Sequence, residues 1–226
     1  MHRLMRWVAA TALLATAGAA QAVLVDFKKE AEPTGLYGES AWAPFSLLAD
    51  YGLNVTIAGT VNRNPAFAYL DSNGAGMGVC GALLSGKTTG AKPGSGANLC
   101  NPSSDDNVTS AEALEFTFNE DVIIDSLWFN NNHDVDGSLH GDTIHIFGND
   151  IMFSAADDDA SRSNDVLYNG PIAFSAGQVA YISFRNEQFY LSALEIRRAV
   201  PEPLSLGLLG LGLAGLGLAR RRAGRS

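Results

Sequence analysis

Along residues 53–196 the hydrophobic positions recur at every second residue in run after run, which is the period of a half-buried strand. Leu53, Val55 and Ile57 share one face of LNVTIAGTV; Leu114, Phe116 and Phe118 share one face of ALEFTF, with Glu115 and Thr117 opposite. VIIDSLWF (122–129), TIHIF (143–147), VAYISF (179–184) and FYLSALEI (189–196) continue the series. Asn-, Asp- and Gly-rich punctuation separates the runs at residues 62–65, 71–78, 130–137, 148–150, 169–171 and 186–188. These residue types tolerate or satisfy the backbone of turns. No long helical period appears in this stretch. The pattern predicts an all-β body, a single β-sandwich or jelly roll.

Both ends of the chain break the alternation with continuous apolar runs. At the N-terminus His2, Arg3 and Arg6 precede an uncharged run over residues 8–20, and Ala20-Gln21-Ala22 closes it. Small residues at Ala20 and Ala22 suit the shallow pockets of signal peptidase, so residues 1–22 read as a removable signal helix cut after Ala22. At the C-terminus Val200-Pro201-Glu202-Pro203 leads into an uncharged run of 16 residues, 204–219, and then Arg220, Arg221 and Arg222. As a helix that run reaches about 24 Å, short of the ~20 residues of an ordinary membrane span. Five of its residues are Gly (207, 210, 212, 215 and 217), each costing about 1 kcal/mol of helix propensity against Ala. A short, marginal transmembrane helix is expected. Its arginines hold their charge at the headgroups and keep the tail cytoplasmic, leaving the preceding body outside. FYLSALEI runs straight into this tail, so the last strand is expected at the membrane-proximal end. The chain therefore divides into a signal peptide (1–22), an ectodomain (23–199) and a C-terminal tail (200–226).

Charge and cysteine content sharpen this division. The first 22 residues hold two basic residues, and residues 200–226 hold four basic and one acidic. Residues 23–199 thus keep 23 acidic and 9 basic residues, a net charge of −14. Such a surface repels nucleic acid and anionic lipid, which excludes nucleic-acid binding, and it suits a solvated domain or divalent cations. Cys80 and Cys100 are the two cysteines. In an exported chain an even count predicts a disulfide, here stapling a Gly-, Ser- and Lys-rich loop that has few apolar groups to fold around.

The Pro-Glu-Pro triplet, the segment LSLGLLGLGLAGLGLA and the terminal RRR, in that order, resemble the PEP-CTERM sorting signal of Gram-negative bacteria. The resemblance implies recognition by an exosortase, an integral-membrane transpeptidase-like cysteine enzyme. It also implies processing near Pro201-Glu202-Pro203 and delivery to the cell surface or the extracellular polysaccharide matrix. On that reading the precursor is held in the inner membrane, and the tail is a substrate of chemistry. The body, through YLDSNGAGMGVC, DDNVTSAEALEFTF, IIDSLWFNNNHDVDG and FYLSALEI, is similar to a recurring PEP-CTERM ectodomain with a galactose-binding-like jelly roll.

Motifs that suggest chemistry in the body are each tied to a context. Residues 81–88, GALLSGKT, match the phosphate-binding G-x-x-x-x-G-K-[ST] pattern, but that chemistry needs a strand before and a helix after the loop. Neither is expected here, and the segment lies inside the predicted disulfide loop. Asn132, Asp134 and Asp136, followed by Gly137, resemble the first half of a calcium loop; Thr143 stands where the bidentate acid belongs and Asp142 is one residue early. Asp71, Asn73, Asp106 and Glu112 form a second candidate if the fold brings two loops together. Asp157-Asp158-Asp159 reads as a solvated charged loop. His133, His140 and His145 lie close in sequence without a helical metal spacing, and no nucleophile elbow or H-E-x-x-H pair occurs. Trp42 or Tyr69 stacking on sugar rings competes with core packing. No cofactor is expected unless calcium binds. The sequence points to a non-catalytic surface protein, with a calcium-assisted carbohydrate-binding module and a secreted hydrolase as alternatives.

Overall fold

The computed structural model describes residues 21–90, 99–104, 106–133 and 137–199. The expected signal helix, its residue Ala20, and the sorting tail with Pro201, Glu202, Pro203, the 204–219 segment, Arg220, Arg221 and Arg222 lie outside the described residues. Gln21–Ala199 form one compact unit. Among the described residues no helix is long and apolar enough to cross a membrane.

The unit is built of antiparallel strands: β1 (Val23–Asp26), β2 (Ser40–Trp42), β3 (Phe45–Ser46), β4 (Val55–Val61), β5 (Asn64–Asp71), β6 (Gly76–Cys80) and β7 (Glu112–Phe118). They continue with β8 (Val122–Asn130), β9 (Thr143–Ile146), β10 (Asn149–Met152), β11 (Val166–Phe174), β12 (Val179–Phe184) and β13 (Tyr190–Arg198). Among the described residues two short α-helices, α1 (Phe27–Ala31) and α2 (Leu48–Tyr51), and a 3-10 turn at Ala155–Asp157 interrupt the series. The first sheet runs β2-β5-β6-β13-β8-β11, with β1 sharing one edge of β13 with β6. The second runs β10-β9-β12-β7-β4, with β3 and the start of β5 along β4. The all-β sandwich expected from the alternation is the fold observed.

Strand β5 joins the two sheets, pairing with β4 at Asn64–Ala66 and with β6 from Phe67 onward. Gly59 permits that crossing, because a Cβ there would stand 2.2 Å from the Phe67 carbonyl oxygen. The core follows from the period-2 pattern. Leu114, Phe116 and Phe118 of β7 and Val55 and Ile57 of β4 are buried, while Ala113, Glu115 and Thr117 face outward. Phe118 stacks on Phe174 at 4.1 Å between centroids, and Phe147 meets both Phe116 and Phe174 edge-on. In β8 the alternation slips. The ladder to β13 skips Asp125, so Val122 and Ile124 before it and Leu127 and Phe129 after it all reach the core. A bulge of this kind reverses facing without breaking the strand, and Asp125 is left outside to pair with Arg197 at 2.9 Å.

Cys80 and Cys100 form the disulfide, with Cα atoms 5.7 Å apart. They sit with Ala41, Tyr69 and Leu99 in a small separate apolar cluster. The Tyr69 hydroxyl accepts from the Leu99 N–H at 2.9 Å and donates to Glu39 at 2.7 Å, so a buried phenol docks the end of the stapled loop.

Candidate functional site

At the end of the first sheet away from Arg198, four segments converge on a buried polar cluster. Asp71 closes β5, Asp106 lies in the loop before β7, His133 follows β8 and Tyr190 opens β13. His133 Nδ1 is 2.9 Å from Asp71 Oδ2, and the Tyr190 hydroxyl donates to Asp106 Oδ1 at 2.8 Å. The Tyr190 oxygen is also 3.4 Å from His133 Nδ1. Asp71, Asp106 and Tyr190 are buried; the His133 side chain retains 32 % of its exposure. The bond to Asp71 holds the His133 pKa above its ordinary value, against the opposing effect of burial. Burial first, then the two carboxylates, pushes the Tyr190 phenol far up, so it stays a proton donor. Gly78 of β6 makes room for this packing: a Cβ on it would lie 2.0 Å from the Asp106 carbonyl oxygen.

A second polar chain continues inward from there. Asn130 donates through Nδ2 to Ala75 O and to Ser192 Oγ, each at 2.6 Å, and Ser192 donates to Asp165 at 3.1 Å. Asp165 also receives Lys28 Nζ and Arg162 Nε, both at 2.9 Å, and Arg162 turns its other nitrogens to Asp26 at 2.9 and 3.0 Å. Ser192 reaches this position because the β13–β8 ladder skips it. Buried polar groups of this kind are tolerated when each finds a partner. The arrangement ties loops to both edges of β13.

Of the residues singled out in the sequence, the fold thus brings together Asp71 and Asp106, with Asn73 contributing backbone next to His133. Glu112 does not join them. It accepts from the Thr109 N–H and hydroxyl, both at 2.7 Å, and so closes the turn before β7. Asp134 and Asp136 lie outside the described residues. Asn132 is described, and its side chain is engaged on both sides: Nδ2 donates to the Gly74 carbonyl and Oδ1 receives Asn164 Nδ2 at 3.3 Å. Among the described residues no three His, Cys, Asp or Glu side chains are grouped to hold a metal ion. The three histidines separate, His140 going to Asp158 at 2.6 Å and His145 to Asp150 at 2.7 Å. In the acidic triplet Asp157 caps the turn begun by Ser154, and Asp159 receives the Trp128 indole N–H at 2.6 Å. Residues 81–90 form turns and one isolated bridge, Leu83 to Cys100, with no helix for a phosphate. Tyr69 is wholly buried, and Trp42 packs edge-on against Tyr37 and Phe45, so neither is free to stack on a sugar.

The sequence reading missed a cleft of about 630 Å³ on the outer face of the second sheet. Tyr181, Ser183 and Phe184 of β12, His145 of β9, Thr60 of β4 and the turn residue Arg63 are among its lining groups. Tyr181 is 43 % exposed. Glu115 is its cross-strand neighbour, and hydrogen bonding toward that carboxylate is the chief cause that raises the phenol's pKa. The signal was present in VAYISF, where alternation puts an aromatic ring on the face opposite Ile182.

Residues 199–222 match the PEP-CTERM protein-sorting motif. No curated protein and no solved structure matches the chain. The motif is one recognised by exosortase, and it marks an exported, membrane-passing precursor of Gram-negative bacteria.

Proposed function

We propose that this chain is a non-catalytic surface or matrix protein whose tail is processed by an exosortase and whose β-sandwich body associates with extracellular polysaccharide. The observation that carries the reading is the sorting motif at residues 199–222. It begins at Ala199, the last residue of the folded unit. On this reading signal peptidase removes residues 1–22, and the 204–219 segment holds the precursor in the inner membrane until Pro201-Glu202-Pro203 is processed. The body is read as a galactose-binding-like jelly roll, in keeping with its two packed antiparallel sheets. A non-catalytic role is supported by the buried cluster itself. Asp71, Asp106, His133 and Tyr190 bind one another, an arrangement that spends its polar groups on holding loops.

Deleting residues 200–226 tests the sorting reading. Fractionation is expected to move the protein from the cell surface or matrix to the periplasm, and unchanged delivery contradicts it.

A further inference from the structure

We propose that the cleft on the outer face of the second sheet is a binding subsite for an uncharged polysaccharide, with Tyr181 as its stacking platform and Arg63 as its hydrogen-bonding clamp. This inference rests on the polysaccharide association proposed above and assigns that association to particular residues.

The first observation is Tyr181 itself. It sits on β12 with its ring on the solvent face, directly across the ladder from Glu115. Its exposure leaves part of the ring open to a ligand. A pyranose ring has an apolar C–H face that packs on an aromatic ring and a rim of hydroxyls that needs donors and acceptors.

The second observation is Arg63. Asn62 and Arg63 form the two-residue turn between β4 and β5, with φ of 51° and 65°. Such a turn at both positive φ values is stiff and projects its side chains from the sheet edge. Lys28, Arg162, Arg185, Arg197 and Arg198 each hold a carboxylate. Arg63 forms no ion pair among the described residues, although the domain around it is strongly acidic. An uncommitted planar guanidinium beside an exposed ring offers a fork of donors to neighbouring hydroxyls. Ser183 and Asn62 add hydrogen-bonding groups at the rim, and the volume of about 630 Å³ falls within the ~300–1,000 Å³ of small-ligand clefts.

Charge selects the occupant. A body of net −14 disfavours a polyanion, and Glu112 and Glu115 lie in or beside the cleft. An uncharged glycan meets no such repulsion. Placement agrees with this. The C-terminal end of β13 meets Glu120, just past the Phe118 end of β7, whereas the cleft lies toward the Glu112 end of that strand. That is a separation of up to about 20 Å along a seven-residue strand. The cleft therefore lies toward the end of β7 opposite the one that Ala199 adjoins.

Affinity electrophoresis of the mature secreted protein through gels holding a neutral β-glucan, a galactomannan or the polyuronate alginate tests the proposal. The expected result is retardation by a neutral polysaccharide and none by alginate. Tyr181→Ala should weaken binding at least tenfold, Arg63→Ala about tenfold, and Tyr181→Phe far less than Tyr181→Ala. Thermal melting of all three variants should match the unmodified protein, because both side chains are exposed. Retardation that Tyr181→Ala leaves intact overturns this subsite and leaves the polysaccharide association standing. No retardation by any polysaccharide overturns the association and the subsite together. Binding to alginate alone overturns the uncharged ligand. A self-association seen by light scattering and abolished by Tyr181→Ala would make the face a contact between copies and overturn the proposal.

Discussion

Val23 lies directly across the ladder from Ile196. The first strand of the body is thus hydrogen-bonded to the last, and Val25 beside Leu194 is fully buried in the same ladder. The bond expected to be cut after Ala22 and the sorting motif from Ala199 onward join the fold at neighbouring strands. Val25→Asp puts an unpaired charge into this core contact, where such groups cost several kcal/mol. A urea denaturation series should show a loss of about 3 kcal/mol or more. A loss below 1 kcal/mol would mean that β1 is dispensable.

The disulfide closes a loop of 20 residues in sequence separation. In the chain-entropy account a loop of that size is worth about 3 kcal/mol. Reduction should therefore lower the melting temperature by about 6–12 °C for a domain of this size, and two thiols should become titratable. Protection from reduction should depend on Tyr69, whose hydroxyl docks Leu99. Tyr69→Phe should raise the rate of thiol release.

Asp26 and Arg162 set an acid limb. Burial alone would raise the Asp26 carboxyl, but the Arg162 hydrogen bonds and charge, with the Lys29 N–H and Lys28, hold it below its ordinary value. A carboxyl lowered in the folded state contributes stability that is present above its unfolded pKa of about 3.9 and is lost as pH falls through the folded value. Arg162→Met should cost about 2 kcal/mol at pH 7, in the range of hydrogen bonds to charged groups. It should also flatten the fall in stability below pH 4. A variant whose acid limb matches the unmodified protein would contradict the assignment.

Gly78 has no space for a side chain, because the Asp106–Asn107 backbone packs against it. Gly78→Ala must push that segment away and with it the Asp106 bond to Tyr190. Overpacking of this kind costs about 1–3 kcal/mol, and the loss should appear in thermal melting. Tyr190→Phe should lose part of the same energy and add little when combined with Gly78→Ala, since both act on one contact.

Much of the sheet was legible because alternation survives wherever one face is buried. Residues 179–184 were read as a strand, and β12 has those bounds; β7, β8 and β13 follow their runs closely. Strand β6 was hidden because all five of its residues are buried, which leaves no alternation to read, and its two glycines look like a turn. Strand β11 was masked by Asn169–Pro171, which marks an interruption between Asn169 and Ile172 that the ladder passes through. The polar cluster was legible only in part. Asp71 and Asp106 were named from their loops, but Tyr190 and His133 join them through pairing between distant strands, which no local pattern encodes. The outward facing of Tyr181 was legible in the alternation of VAYISF, but the cleft around it was not, because the β4–β5 turn that brings Asn62 and Arg63 beside it comes from strand pairing.

Export, removal of the signal peptide and processing of the tail near Pro201-Glu202-Pro203 are the steps proposed for this polypeptide. Intact-mass and terminal-peptide mass spectrometry of the protein recovered from the cell surface or matrix tests them most directly. The expected product begins at Val23, lacks residues beyond the Pro201-Glu202-Pro203 region and carries the Cys80–Cys100 bond. A full-length product from Met1 to Ser226, recovered from the cytosol with both thiols reduced, would contradict them.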